Sequence, residues 1–338
     1  MAAAQSENGN GAAETGKIKK KRKPLRIIRN VLGIFAGIIV LFFAIVFVTD
    51  KVAGSMEEAR IEPYGQFVEV DGKRMNVRID GDGAETIVLL PGYGTAAPGL
   101  DFEPLIRELE AKDYRIVTVE PFGYGLSDGT DKERTTDNIV GEVHEAVQQL
   151  GLTRYVLMGH SIAGLYGLEY ANRYPDEVIA FAGIDTSVPS QGGMDTELPI
   201  GTFKFLRQSG LMRMLTKISG DPYAALDYDE STKEQMRMIT NRKGNNKTML
   251  NEMSHISSNF NQAKEAGATF PADLPLLLFI KQDDVEVTNW TDLHEEQVAH
   301  SAHGKLIPME GDHYLHHTLS QEIATDFDAF MDGLGKKN

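Results

Sequence analysis

The chain has 338 residues, 41% of them apolar and 25% charged, enough for one substantial hydrophobic core or two modest ones. It contains no cysteine, which excludes disulfides, a thiolate nucleophile and a thiolate zinc site, so any covalent catalysis must use oxygen or nitrogen. The formal net charge is -15, yet Lys17, Lys19, Lys20, Lys21, Arg22, Lys23, Arg26 and Arg29 precede the first long apolar run with only Glu7 and Glu14 among them. The basic patch is therefore local. The remainder is more acidic than the whole, which argues against binding nucleic acid or anionic lipid through bulk charge.

Residues 1–26 lack apolar periodicity and are expected to form a disordered, basic cytoplasmic tail. From Val31 to Val48 no strongly polar side chain occurs, and with Ile27 and Ile28 the run approaches the roughly 20 residues that span a bilayer. A transmembrane helix is predicted over 27–49. A cleaved signal peptide has a shorter apolar core of about 7–15 residues and an A-x-A-like site, which Val48-Thr49-Asp50-Lys51 does not supply. Basic residues lie before the span and few follow it, so the positive-inside rule leaves the N-terminus in the cytoplasm and the remaining domain outside.

After a linker over 50–65, Gln66–Val70 and Arg74–Ile79 alternate around Asp71-Gly72, the pattern of a hairpin. Apolar runs at Thr86–Leu90, Arg115–Val119, Tyr155–Met158, Val178–Ile184 and Leu276–Ile280 read as strands, with helical spacing at Phe102–Ala111, Thr136–Leu150 and Ile162–Arg173. Such alternation implies an α/β fold whose mostly parallel sheet is covered by helices on both faces. The rhythm stops over 187–271, where Met194, Met212, Met214, Met236, Met238, Met249 and Met253 accompany helical spacing. This stretch reads as a helical lid inserted into a core formed by 66–186 and 272–335, because methionine fills irregular apolar surfaces.

The chemistry concentrates in Tyr155-Val156-Leu157-Met158-Gly159-His160-Ser161-Ile162-Ala163-Gly164, an apolar strand entering a helix through a small-x-Ser-x-small turn. A serine on so sharp a turn needs small flanking residues, and its hydroxyl then projects where the helix N-terminus favours developing negative charge. Here the chain resembles the α/β-hydrolase fold family, from about Gln66 to Met331. Leu89-Leu90-Pro91-Gly92-Tyr93-Gly94 resembles the family's loop after the third strand, with Pro91-Gly92 where members commonly have His-Gly. Glu120-Pro121-Phe122-Gly123-Tyr124-Gly125-Leu126-Ser127 is similar to the stretch after the fourth. The resemblance implies an eight-stranded sheet, Ser161 as nucleophile, and an oxyanion hole from the backbone N–H groups of Ile162 and Tyr93.

A serine nucleophile needs a base oriented by an acid, in this fold in the order Ser, Asp, His. Lys281-Gln282-Asp283-Asp284 follows an apolar strand where the family commonly has Gly-x-x-Asp, so Asp284 takes the acid's place, with Asp283 as the neighbouring alternative. His313 in Gly311-Asp312-His313 matches the family's last loop and takes the place of the base. His316 and His317 are expected to be structural or on the surface, and His160 to pack or hydrogen-bond beside the serine. No metal-ligand spacing of the H-E-x-x-H kind and no dinucleotide-binding glycine pattern occurs, so no cofactor is expected.

The expected function is cleavage of a carboxylic ester, small or lipid-like, through an acyl-enzyme on Ser161, with the membrane contacted through the N-terminal helix and no nucleic-acid partner. A serine at this position excludes the family's aspartate-nucleophile epoxide hydrolases and dehalogenases. Amide cleavage of the prolyl-aminopeptidase type, although the His-Gly-Gly-Pro-Gly loop is absent, carbon–carbon bond hydrolysis and acyl transfer share the triad. A binding protein that keeps the fold is the non-enzymatic alternative.

Overall fold

The computed structural model describes residues 23–335 except Glu197. These residues fall into two units, one ending at Ile45 and the other beginning at Val46. The first unit is the N-terminal part of helix α1 (Lys23–Glu58), and its apolar side chains, among them Ile34, Phe35, Val40 and Leu41, are exposed. α1 is long and apolar enough to cross a membrane. The expected tail lies largely outside the described residues. The helix also runs past the predicted span into what sequence assigned to a linker, because no glycine pair or proline interrupts Thr49–Glu58 and Asp50, Glu57 and Glu58 find arginine partners.

The hairpin forms as β1 (Gln66–Val70) and β2 (Lys73–Asp80), joined through Asp71 and Gly72, both at positive φ. Then follow β3 (Glu85–Leu90), α2 (Pro98–Asp101), α3 (Glu103–Glu110), β4 (Tyr114–Glu120), α4 (Thr136–Gln149), β5 (Tyr155–His160), α5 (Ala163–Arg173) and β6 (Val178–Ile184). Four helices intervene before the next strand: α6 (Ile200–Gln208), α7 (Leu211–Ser219), α8 (Glu230–Lys243) and α9 (Lys247–Glu265). The chain continues with β7 (Leu276–Lys281), α10 (Trp290–Ala299), β8 (Gly304–Met309), α11 (Leu315–Thr318) and α12 (Ser320–Gly333).

The eight strands form one sheet in the order β1-β2-β4-β3-β5-β6-β7-β8, antiparallel at β1 and β2 and parallel from β4 onward. Side-chain alternation sends Val88, Leu90, Val117 and Leu157 to one face, under Val143, Val147, Leu165 and Leu168 of α4 and α5. Ile87, Leu89, Ile116 and Val156 go to the other, under Leu105, Leu109, Ile323 and Phe327 of α3 and α12. Both faces are thus buried, which is why the strands read as continuous apolar runs. β3 and β5 sit at the centre with the order reversing around them, so the loops at their carboxyl ends border a crevice, the usual ligand position in such sheets.

The stretch after β4 is organised by one buried carboxylate. Glu120 accepts from Tyr64 Oη at 2.7 Å, Gly99 N at 3.1 Å, Asn76 Nδ2 at 3.0 Å and Leu126 N at 2.7 Å. Its side chain therefore pins the loops after β3 and β4 to the edge hairpin. An amide in its place presents two donors to groups that are themselves donors, so Glu120→Gln is expected to destabilise the domain by about 2–4 kcal/mol despite its equal size. Urea unfolding followed by far-UV circular dichroism measures this, and an unchanged midpoint would contradict the role given to the carboxylate.

Candidate active site

Ser161 sits one residue beyond β5 with φ of 56°, in the left-handed region that side chains other than glycine and asparagine rarely adopt. The conformation is held from both ends. Its N–H donates to Ile184 O at 3.2 Å, and its carbonyl accepts from Gly164 N at 3.0 Å and Ser187 N at 2.8 Å. The small residues around it are required by close approach: a Cβ at Gly159 would stand 2.7 Å from Ala163 Cβ, and one at Gly92 would stand 2.6 Å from His160 Nδ1 and 3.0 Å from Ser161 Cβ. The Gly92 contact also shows the loop after β3 lying directly against the serine turn, with Pro91 in place of the common histidine.

The serine hydroxyl is 2.9 Å from His313 Nε2, and His313 Nδ1 is 2.6 Å from Asp185 Oδ2. Ser161 O–H thus donates to the imidazole, whose other N–H donates to a carboxylate. The structure brings together the serine and the histidine expected from sequence, and the carboxylate at the imidazole is that of Asp185 rather than Asp284. Asp284 stands instead on its own loop, where Oδ1 accepts from Glu286 N and Val287 N, each at 2.8 Å, and Oδ2 lies 3.5 Å from Lys281 Nζ. Burial pushes its carboxyl up, but these N–H bonds and Lys281 outweigh it and hold the group below the ordinary carboxylate range. Asp283, the alternative, is exposed at a φ of 56°.

The reason for the difference is topological. β6 flanks β5, whereas β7 is one strand further out, and Asp185 is the first residue beyond β6 while Asp284 follows β7. Asp185 is only 1% exposed. Its Oδ1 accepts from Lys281 N at 2.8 Å and Trp290 Nε1 at 2.9 Å, and its own N–H donates to Phe279 O at 2.7 Å. A strand that ends in an acid, Ile184-Asp185, was the available signal.

His160 is buried and donates Nε2–H to His313 O at 3.0 Å, so it braces the loop that carries the imidazole. Burial, followed by the neighbouring His316 and His313, pushes its pKa well down and keeps it neutral. His316 and His317 both reach Asp101, at 2.9 and 3.0 Å. Burial pulls Asp101 upward, but the two imidazoles more than offset it and hold the carboxyl ionised. These three groups could hold a metal ion by proximity, yet buried His316 Nδ1 has no hydrogen-bond partner, and a ligating imidazole ordinarily donates from its other nitrogen. The cluster fits a hydrogen-bonded tether between α2 and α11 better than a metal centre.

A pocket of about 480 Å3 opens over the serine, lined by Tyr93, Ile162, Met194, Ile256, Phe260 and Trp290 among others, with Glu286 and Asp312 also on its wall. Among the described residues, no acceptor takes the backbone N–H of Ile162 or of Tyr93. The arrangement can lower the cost of ionising a hydroxyl beside an apolar cavity, with unengaged N–H groups next to it.

Residues 85–254 match the model of the α/β-hydrolase fold family. The chain belongs to that family. It is similar to an uncharacterised protein, YbdG, of Bacillus subtilis, 28% identical over 75% of this chain and 79% of that one. A 2-hydroxy-6-oxononadienedioate/2-hydroxy-6-oxononatrienedioate hydrolase of Escherichia coli is 28% identical over 44% of this chain and 52% of its own length. Among solved structures, an epoxide hydrolase from Vigna radiata superposes with a TM-score of 0.63 at 16% identity, covering 79% of this chain and 97% of that one, a likeness of fold alone.

The hydrogen bond from His313 to Asp185 can be observed without any substrate. A proton resonance far downfield of the amide region is expected from His313 Nδ1–H, to vanish in Asp185→Asn and to persist in Asp284→Asn. The opposite pattern would return the acid to Asp284.

Proposed function

We propose that the protein is a membrane-anchored serine hydrolase that cleaves carboxylic esters through an acyl-enzyme on Ser161. The observation that carries this reading is the unbroken chain from Ser161 Oγ to His313 to Asp185. His313 removes the hydroxyl proton as Oγ attacks the ester carbonyl, and returns it to the departing alcohol. Water then attacks the acyl-enzyme by the same route, giving its proton to His313, which passes it to Ser161 Oγ as the acyl–oxygen bond breaks and the carboxylic acid leaves. Asp185 fixes the tautomer and stabilises the imidazolium. The N–H groups of Ile162 and Tyr93 receive the oxyanion.

The aliphatic and aromatic wall of the pocket favours an acyl group without charge, and helices α6–α9 serve as its lid. α1 supports an anchor, and the basic residues before it support an N-terminus in the cytoplasm with the catalytic domain outside. A second reading is favoured by Glu286 and Asp312, whose carboxylates beside the pocket suit a substrate ammonium group, as in an aminopeptidase.

A fluorophosphonate probe is expected to label Ser161, with labelling lost in Ser161→Ala. With p-nitrophenyl butyrate, Asp185→Asn should lower kcat by about 10³–10⁴-fold. Asp284→Asn should stay within roughly tenfold, because only loop bonds are lost. Turnover of prolyl-naphthylamide above that of the ester would instead select the amide reading.

A further inference from the structure

A second cavity, of about 520 Å3, lies within the unit that begins at Val46, between the last turns of α1, helices α6–α8 and the Tyr93-Gly94 loop. Its charged wall is formed by Asp50, Lys51, Arg207, Arg213 and Arg242. Most of these charges are matched. Arg213 binds Asp50 at 2.9 Å and Glu57 at 2.5 Å, Arg242 binds Glu58 at 2.9 Å, and Lys51 stands 3.4 Å from Asp50. Arg207 is different: its guanidinium donates only to the carbonyls of Arg242 and Gly244 at the end of α8, and no carboxylate lies within 4.0 Å of it among the described residues.

Burial presses the charge of Arg207 down, Asp50 opposes it, and the guanidiniums of Arg242 and Arg213 add smaller pressure in the same direction as burial. The wall carries four basic groups against Asp50 alone, an excess of positive charge in a space far larger than a water molecule, which suits an anion. The guanidinium fork suits the oxygens of a phosphate. Tyr93 lines this cavity and the Ser161 pocket alike, so a group held here lies beside the oxyanion loop.

We propose that the Arg207 cavity binds a phosphate-type anion carried by the substrate, so that the ester cleaved at Ser161 belongs to an anionic amphiphile or a water-soluble phosphate compound. The link to cleavage rests on the hydrolase reading; the anion site rests on the cavity alone.

The test uses the full chain in neutral-detergent micelles, with Ser161→Ala to prevent turnover, titrated by calorimetry with inorganic phosphate and with dodecyl phosphate. Saturable binding of dodecyl phosphate is expected, weakened about tenfold or more in Arg207→Gln, which removes a charged hydrogen-bond donor. Met212→Trp, which fills the cavity and leaves Arg207 in place, should weaken it as well and decides the matter if Arg207→Gln does not fold. Equal affinity for inorganic phosphate identifies a soluble phosphate compound, and preference for dodecyl phosphate a lipid headgroup. Absence of saturable binding by both probes, or undiminished binding in either folded variant, overturns the proposal. With Ser161 restored, dodecyl phosphate should compete with p-nitrophenyl butyrate; binding without competition separates the anion site from the substrate. Binding in a protein that hydrolyses no ester at all leaves the site standing and removes the hydrolase reading instead.

Discussion

A buried carboxylate with every donor in place is the constraint on which the site depends. Asp185 places its carboxyl group at 1% exposure, a costly position for a polar group unless it is hydrogen-bonded. Three donors meet it: the main chain at the end of β7, the indole of α10 and the imidazole beyond β8. Each of those elements is located by packing, and the carboxylate is the point at which they agree. The serine turn is bound into the same arrangement, since Ser161 N–H donates to the last carbonyl of β6 and Ser187 N–H returns to Ser161 O. The ends of β5, β6 and β7 are therefore one connected hydrogen-bonded surface, and the strained φ of Ser161 is held by it.

Much of this was legible in the chain. Val178–Ile184 is a strand with the limits its apolar run predicts, and the Asp71-Gly72 hairpin forms where its alternation predicts. The proximity of Ser161 and His313 could be anticipated because their surroundings are local: an apolar strand, a small-residue turn, a loop after the last strand. That Asp185 is the carboxylate bonded to His313 could not, because both Asp185 and Asp284 follow apolar strands and the sequence does not say which strand lies beside β5. That information is the strand order, which is tertiary. Glu120 escaped for a related reason, since its four partners come from four separate segments and a charged residue at a strand end carries no local mark of burial. Helix α10 escaped because its apolar spacing is weak, and its position is set by Trp290 and His294 facing Asp185 and Thr186.

Neutral histidine is a second theme. His160 is wedged among His313, Tyr314 and His316, with ring centroids 4.6–4.8 Å apart. A charge on His160 would be disfavoured by the histidines around it, and burial is the larger cause that keeps it neutral. The cluster on Asp101 fixes His316 and His317 of the same segment, so the chain that carries the imidazole is also held just beyond it.

The spacing of the site along the chain has a consequence for biosynthesis. Ser161 and Asp185 are made early, on neighbouring strands, whereas His313 belongs to a segment that must wait for β8 to join the edge of the sheet. A nascent chain that ends before β8 holds Ser161 and Asp185 without the imidazole that hydrogen-bonds to both. On the proposed reading, the serine would gain its base only when almost all of the domain has been made.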